Sequence, residues 1–170
     1  DGDGVQKDKT KMLELLKWAS CLGAADATFN LGVIYRDGDG VLQDKRKALE
    51  LFERAGGAGY ADATFNLGAM YFAGDGVQQD KQKGLALFTQ AHMAGSAGAT
   101  FALGGRYFTG DGVQQDKRRA FTLFERAHEA GYARATLNLG MMYFSGDGVQ
   151  QDRNKALEFV AKAHEAGCVE

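Results

Sequence analysis

Gly74-Asp75-Gly76-Val77 is one of five copies of the same four-residue stretch. The others are Gly2-Asp3-Gly4-Val5, Gly38-Asp39-Gly40-Val41, Gly110-Asp111-Gly112-Val113 and Gly146-Asp147-Gly148-Val149, each 36 residues from the next. A fixed period of this length marks a stacked-repeat solenoid, in which each unit buries its apolar face against its neighbours. Such stacks present long concave surfaces, and these surfaces mostly bind other proteins.

Working outward from Gly74, the preceding residues Ala61 to Phe72 read as a first helix, A. Leu67, Gly68 and Tyr71 share one stripe at helical spacing. Leu31, Gly32 and Tyr35, then Leu103, Gly104 and Tyr107, and finally Leu139, Gly140 and Tyr143 repeat it. A glycine inside a helix costs about 1 kcal/mol relative to alanine. Its recurrence predicts a compensating close approach of a second helix, with the tyrosine filling the space beside it. The loop glycines take positive φ and end helix A, and the valine is expected to plug the loop onto the core.

Asp8, Asp44, Asp80, Asp116 and Asp152 follow the loops and read as N-caps of a second helix, B. Within residues 60–94, helix B runs from Lys81 to Ala94. Its clearest buried stripe, one repeat earlier, is Ala48, Leu51, Phe52 and Ala55, with Glu50 and Arg54 as an exposed i,i+4 pair. Gly59, Gly95, Gly131 and Gly167 then close each helix B at C′. Most of the 24 glycines fall in these recurring slots, and there is no proline. The composition is therefore a product of the repeat rather than a sign of disorder. The expected architecture is all-α: a lone helix B over residues 9–22, then four A–B pairs, about nine helices in all. As a single repeat domain over 1–170, the chain divides into a partial repeat at 1–23, full repeats at 24–59, 60–95, 96–131 and 132–167, and a stub at 168–170. It opens inside a loop and stops where another repeat would begin, so it reads as a piece of a longer protein.

Charge excludes some partners. The 20 basic and 22 acidic residues are mixed along the chain and sum to −2. No basic stripe suits nucleic acid, and no apolar run approaches the roughly 20 residues that span a bilayer. Cys21 and Cys168 lie four units apart, beyond disulfide reach at about 10 Å per helix layer. This leans towards a reducing compartment, although the sequence names none.

Ala-x-Ala-x-x-x-Leu-Gly-x-x-Tyr, then Gly-Asp-Gly-Val, then Asp-x-x-x-Ala with a closing Ala-Gly, resembles the Sel1-like repeat family, a relative of tetratricopeptide repeats with a longer inter-helix loop. The resemblance rests on Leu67, Gly68, Tyr71, Gly74 to Val77, Asp80, Ala91 and Gly95 and on their counterparts along almost the whole chain. It implies a right-handed α/α superhelix acting as an adaptor for protein complexes. Members of the family serve in signalling, host interaction, secretion-associated immunity and quality control. Cysteine-rich members are linked to β-lactam binding or hydrolysis. This chain lacks their two cysteines per repeat, so neither their disulfides nor that activity carries over.

Helix A has a second apolar stripe, seen as Asp62, Phe65, Ala69 and Phe72. Its equivalents are Asp26, Phe29, Val33 and Arg36; Gly98, Phe101, Gly105 and Phe108; and Arg134, Leu137, Met141 and Phe144. A helix apolar on two sides needs two covers. By resemblance to tetratricopeptide repeats these slots line a concave groove, where Asn30, Asn66 and Asn138 grip peptide backbone. Phe65, Phe72, Phe101 and Phe108 would then be aromatic anchors, with Asp26, Arg36, Asp62 and Arg134 as a charged rim. The alternative is that Phe29, Phe65 and Phe101 complete packing between repeats, with the asparagines bonding helix backbone. Trp18 stands where later units carry Arg54, Gln90, Arg126 and Lys162, as an atypical terminal unit does.

Chemistry-bearing sites are otherwise rejected. Asp37-Gly38-Asp39-Gly40 begins like a calcium loop but lacks the third acid and the distal glutamate, so its aspartate is expected to bond its own loop backbone. His92, His128 and His164 fall one repeat apart, too far to share a metal at about 2.1 Å. They suit the C-terminal end of a helix dipole instead. No nucleophile stands with a base, and no phosphate-binding pattern appears. The reading is a non-enzymatic scaffold or adaptor that takes a protein or peptide partner in its groove, with no cofactor and no metal. It binds no nucleic acid and does not insert into a membrane, and its open ends allow end-to-end self-association. An immunity or inhibitor protein that neutralises one effector enzyme is the alternative, and a β-lactam hydrolase a more distant one.

Overall fold

The computed structural model describes residues 2–165, with side chains from residue 8 onward. Among the described residues there are nine helices and no strand: α1 (Gly2–Cys21), α2 (Ala25–Asp37), α3 (Lys45–Gly57), α4 (Ala61–Ala73), α5 (Lys81–Met93), α6 (Ala97–Thr109), α7 (Lys117–Glu129), α8 (Ala133–Ser145) and α9 (Arg153–Glu165). No helix among them is long and apolar enough to cross a membrane. Even-numbered helices are the A type and odd-numbered ones the B type. They gather into two compact units, residues 1–90 and 91–170.

Local chemistry sets each helix end. The first loop glycine takes a left-handed conformation and its N–H returns to the last turn of helix A, as in Gly74 to the Met70 carbonyl at 2.9 Å. A bend through Asp75, Gly76 and Val77 and then Gln78 and Gln79 lead to the aspartate. The side chains of Asp44, Asp80, Asp116 and Asp152 accept from the backbone N–H three residues on, so all four are N-caps as expected. The same aspartate also closes the hairpin, because the Asp80 N–H donates to the Tyr71 carbonyl at 2.8 Å. A glutamine that sequence reasoning passed over assists it. Gln79 Nε2 donates to the Phe72 carbonyl at 3.0 Å, and Gln43, Gln115 and Gln151 repeat the bond. At the far end of helix B, Gly59, Gly95 and Gly131 have positive φ, and the following N–H reaches back to Ala55, Ala91 and Ala127, which is the Schellman closure. Gly167 and Cys168 lie outside the described residues.

The first copy of the loop motif behaves differently. Gly2 to Val5 are helical and belong to α1, not to a loop, and Asp8 stands inside that helix rather than capping it. In the other four copies the turn is fastened to the carbonyls of a preceding helix A. Here these residues continue α1 towards its N-terminus.

The glycine of helix A does allow close approach, but its partner is not the tyrosine. A Cβ on Gly32 would lie 2.6 Å from Cε1 of Phe52, and one on Gly68 would lie 2.9 Å from Cδ1 of Phe88. The aromatic ring of helix B fills the notch. The tyrosines face the charged start of helix B instead, with Lys47 Nζ 4.1 Å from the Tyr35 ring and Lys83 Nζ 3.7 Å from that of Tyr71. Ala48, Phe52 and Ala55 of α3 join Ala63, Leu67 and Met70 of α4 in one core cluster. In the other unit Ala120, Phe124 and Ala127 of α7 join Ala135, Leu139 and Met142 of α8, and Val149 of the following loop packs on them. At about 25 cal/mol per Å² of apolar surface removed from water, these ring-filled layers are the main favourable term holding neighbouring hairpins together.

Polar side chains tie successive repeats. In three copies the loop aspartate takes a lysine where a bond to its own loop backbone was expected. Asp39 takes Lys9 at 2.6 Å, Asp75 takes Lys45 at 2.5 Å and Asp147 takes Lys117 at 2.5 Å. Lys45 and Lys117 open helix B of the preceding repeat, and Lys9 holds the same repeat slot within α1. A side chain at Gly148 would collide with the Lys117 carbonyl, so the second loop glycine is required by this contact as well as by its positive φ. Arg54 likewise leaves Glu50 and reaches the hydroxyls of Ser20 and Thr28 across the α1–α2 layer. Those hydroxyls are buried and gain more from a charged donor than a solvated carboxylate would.

Candidate partner-binding site

Phe29, Phe65 and Phe101 all turn inward. Phe29 lies 5.8 Å from Phe52 and 4.9 Å from Tyr60, Phe65 lies 5.6 Å from Phe88, and Phe101 lies 5.5 Å from Phe124 and 4.9 Å from Tyr132. Packing between helices accounts for all three. Phe72 is buried as well, 5.9 Å from Phe88.

The polar slots divide similarly. Arg36 grips Asp37 through Nε and Nη2, and through Nη1 donates to Asn66 Oδ1 at 2.6 Å. Asn66 Nδ2 donates to the Asp62 carbonyl at 2.7 Å, so that amide is already occupied by its own helix and by Arg36. The hydrogen bond to Arg36 also holds the Asp37 carboxyl below the usual carboxylate range. Asp37 and Asp39 thus each carry a cation from a side chain, the opposite of a calcium loop's open oxygens. Asp62 and Arg134 are exposed on the first turns of their helices, and Asn30 is exposed on the second turn of its own.

Four of the expected residues do come together. Phe108, Asn138, Met141 and Phe144 line one cleft of about 630 Å³ in the unit spanning residues 91–170. Gly105, Gly140, Leu157 and Val160 complete its apolar wall. Met141 is 53% exposed, Phe144 61% and Leu157 70%, so this is a contiguous apolar surface rather than a filled core.

Leu157 and Val160 sit on helix B, outside the helix A stripe from which the groove was expected. The signal was present in the repeat itself. Val160 stands in the slot of Phe52, Phe88 and Phe124, so the ring that packs against the helix A glycine elsewhere is reduced to an isopropyl group beside Gly140. The lost volume opens the wall of the cleft.

The histidines have a separate role. His92 Nδ1 meets Thr100 Oγ1 at 2.8 Å, and His128 Nδ1 meets Thr136 Oγ1 at 2.8 Å. Thr100 Oγ1 gives its own proton to the Ser96 carbonyl, so His92 Nδ1 must be the donor. Burial, reinforced by Arg126 and Arg119, lowers the His92 imidazole below its ordinary range. These are struts between helix B and the next helix A. Trp18 is 66% exposed and Cys21 is an exposed free thiol on α1. No group of three or more metal-ligating side chains occurs among the described residues.

The family model described as Sel1 repeat matches residues 25–60, 61–96, 97–132 and 133–168. The chain is similar to a protective antigen of uropathogenic Escherichia coli with an SLR fold, at 36% identity and a TM-score of 0.82 over 91% of this chain and 33% of that one. It therefore spans about a third of that protein's length. A Sel1 repeat protein from Oxalobacter formigenes gives a TM-score of 0.86 at 28% identity, over 96% of this chain and 68% of that one. An immunity protein from Pseudomonas aeruginosa, 21% identical, gives 0.53 over 92% and 74%, a likeness of fold alone. No curated protein matches the chain. The fold class is the all-α helical-repeat solenoid of these neighbours.

Proposed function

The chain belongs to the Sel1 repeat family, whose members bind proteins and are in general non-catalytic repeat scaffolds, and on that premise we propose that it is a protein-binding scaffold whose working surface is the cleft of Phe108, Asn138, Met141 and Phe144. The observation that carries this reading is the exposure of Met141, Phe144 and Leu157 around one apolar hollow, while Val33 and Leu49, the counterparts of Met141 and Leu157, are partly buried against a core cluster. Phe144 and Met141 supply the apolar anchors. Asn138 supplies a polar group that fixes register, and Arg134 one turn earlier a charged edge. Affinity comes from these few central groups rather than from total area. Binding is the whole of the activity, with no nucleophile or cofactor called upon.

The test is selection of displayed peptides on the immobilised protein, with counter-selection on a Met141→Asp/Phe144→Asp variant. The expected result is a set of apolar peptides that bind the parent protein and lose at least about tenfold in affinity on the variant, while its melting temperature is retained. Failure to enrich any peptide, or peptides indifferent to both substitutions, would overturn the reading. Hydrolysis of a chromogenic β-lactam by the parent protein would overturn its non-catalytic part.

A further inference from the structure

Two helices B begin with three cations, where the partial positive charge of a helix N-terminus disfavours them. Lys45, Arg46 and Lys47 open α3, Lys117, Arg118 and Arg119 open α7, and neither first turn holds an acid. Local preference is overridden in this way where a residue serves something besides stability. Two of the three cations are accounted for in each helix. Lys45 takes Asp75 of the following loop, and Lys117 takes Asp147. Lys47 Nζ donates to Tyr35 Oη at 3.0 Å, and the Arg119 guanidinium lies 4.2 Å from the centre of the Tyr107 ring. The middle cation is left over. Arg46 and Arg118 are exposed, and among the described residues no acid, hydroxyl or ring meets either guanidinium. The slot does not demand arginine, because Gln82 and Asn154 fill it elsewhere. Arg118 also separates two hollows. Val113 and Gln114 line one, of about 710 Å³, and Val149 and Gln150 the other, of about 440 Å³. The hairpin of α8 and α9 is already stacked beside α7, so this surface is a flank of the repeat and not its end.

Apart from the cleft, and resting only on the reading of the chain as a protein binder, we propose that Arg118 and the hollows on its two sides dock an extended acidic segment of a partner protein. A glutamate or aspartate carboxylate sits on the guanidinium, whose planar fork offers two parallel N–H donors. A small apolar side chain enters each hollow, against Val113 and Val149. Residues two apart share one face of an extended chain, which gives the order apolar, acid, apolar that a cation between two hollows requires. Gln114 and Gln150 are exposed, and their amides both donate and accept. Only an extended segment leaves backbone groups free to meet them, since a helix bonds its own. The α7 backbone takes no part, because Asp116 caps it. The Asp116 carboxylate also lines the larger hollow and disfavours a phosphate-rich polyanion, which packs its charge more densely than a peptide does. Arg46 has Leu42 where Arg118 has Gln114, so the complete set of groups stands at Arg118.

The experiment is an anisotropy titration of the 170-residue protein, carrying Arg46→Gln so that one such cation remains, into short labelled peptides. Their order is valine, threonine, glutamate, threonine, valine, with copies centred on glutamine and on lysine. The expected result is saturable binding of the glutamate peptide, about fivefold or more tighter than its glutamine copy and weakened by added salt. Arg118→Gln introduces the residue that the chain itself carries at Gln82, so it should keep the melting temperature while removing the preference for glutamate. Arg118→Glu should transfer the preference to the lysine copy. No saturable binding, no preference for glutamate over glutamine, or a preference that survives Arg118→Gln would overturn the proposal. So would a single-stranded oligonucleotide that displaces the peptide and binds more tightly through Arg118. The Met141→Asp/Phe144→Asp variant should bind the glutamate peptide as the parent does. If it does not, the peptide occupies the cleft, and this proposal falls while the reading of the cleft stands.

Discussion

A methyl group on Gly104 would stand 2.8 Å from Cε1 of Phe124, the ring that fills the gap between α6 and α7. The next residue, Gly105, has nothing within 4 Å of the same virtual position. Two adjacent glycines of one helix are thus in opposite situations. Replacing Gly104 with alanine brings about 1 kcal/mol of helix propensity against about 1–3 kcal/mol of overpacking on a buried ring, and the net should be a loss. Replacing Gly105 brings the propensity gain unopposed and should stabilise by up to about 1 kcal/mol. Urea midpoints for Gly104→Ala and Gly105→Ala, moving in opposite directions, check this. A second substitution, Phe124→Leu, should relieve the first variant more than it harms it.

That glycine shows how far the sequence could be read. The period and the stripe of Leu67, Gly68 and Tyr71 were enough to predict a tight crossing and to place the helix ends within a residue, at Ala61–Ala73 and Lys81–Met93. They did not say which side chain enters the notch, because Tyr71 and Phe88 are both large and both recur every 36 residues. Only the direction of each Cβ from its helix decides between them. The candidate site was obscured for a related reason. Phe72, Phe108 and Phe144 are identical in type and slot, but Phe72 is 7% exposed and Phe144 61%. Exposure depends on a residue's place in the stack, and a repeat pattern records only its place in the unit.

His92 should make stability depend on pH. Its folded-state imidazole is lowered by burial, then by Arg126 and Arg119, whereas the unfolded chain titrates near about 6.5. As pH falls the unfolded state takes up its proton first. The contribution is therefore complete above about pH 6.5 and is lost as pH falls through the lowered folded value. The Nδ1 proton is committed to Thr100, so the site that titrates is Nε2. An NMR titration should place the His92 midpoint below the ordinary range, and His92→Gln should flatten the stability slope below pH 6.5. Thr100→Val removes the acceptor of a half-buried N–H and should cost about 1–3 kcal/mol at pH 7.

The link between Asp147 and Lys117 should respond to acid in its own window. The Lys117 ammonium, and then the Ser145 hydroxyl, hold the Asp147 carboxyl below its usual value. A lowered folded value means that the stabilisation is present above about pH 4 and disappears as pH falls through that value. Asp147→Asn should therefore lower the melting temperature slightly at pH 7 and not at all near pH 2. Raising the ionic strength should shrink the difference at pH 7, since the pair lies at the surface. A difference that persists unchanged in acid would mean that the side chain acts through its hydrogen bond from Ser145 rather than through charge.

Phe72 and Phe144 provide the sharpest separation of folding from binding. Phe72 is buried, its ring lies 5.9 Å from that of Phe88, and a Cβ on Gly84 would lie 2.7 Å from its own Cβ. Truncating it leaves a cavity that this tight crossing cannot close, so Phe72→Ala should cost about 3–5 kcal/mol. Phe144 occupies the same slot with no helix over it among the described residues, and the Arg153 guanidinium lies 6.0 Å from its ring. Phe144→Ala should change stability by no more than about 0.5 kcal/mol, while weakening any ligand of the cleft by the loss of an aromatic anchor. Chemical denaturation and peptide titration on the same two variants measure both quantities. Should Phe144→Ala instead unfold the protein as severely as Phe72→Ala, its ring would be a structural element of the last hairpin, and the cleft would lose its claim to be a surface kept open for a partner.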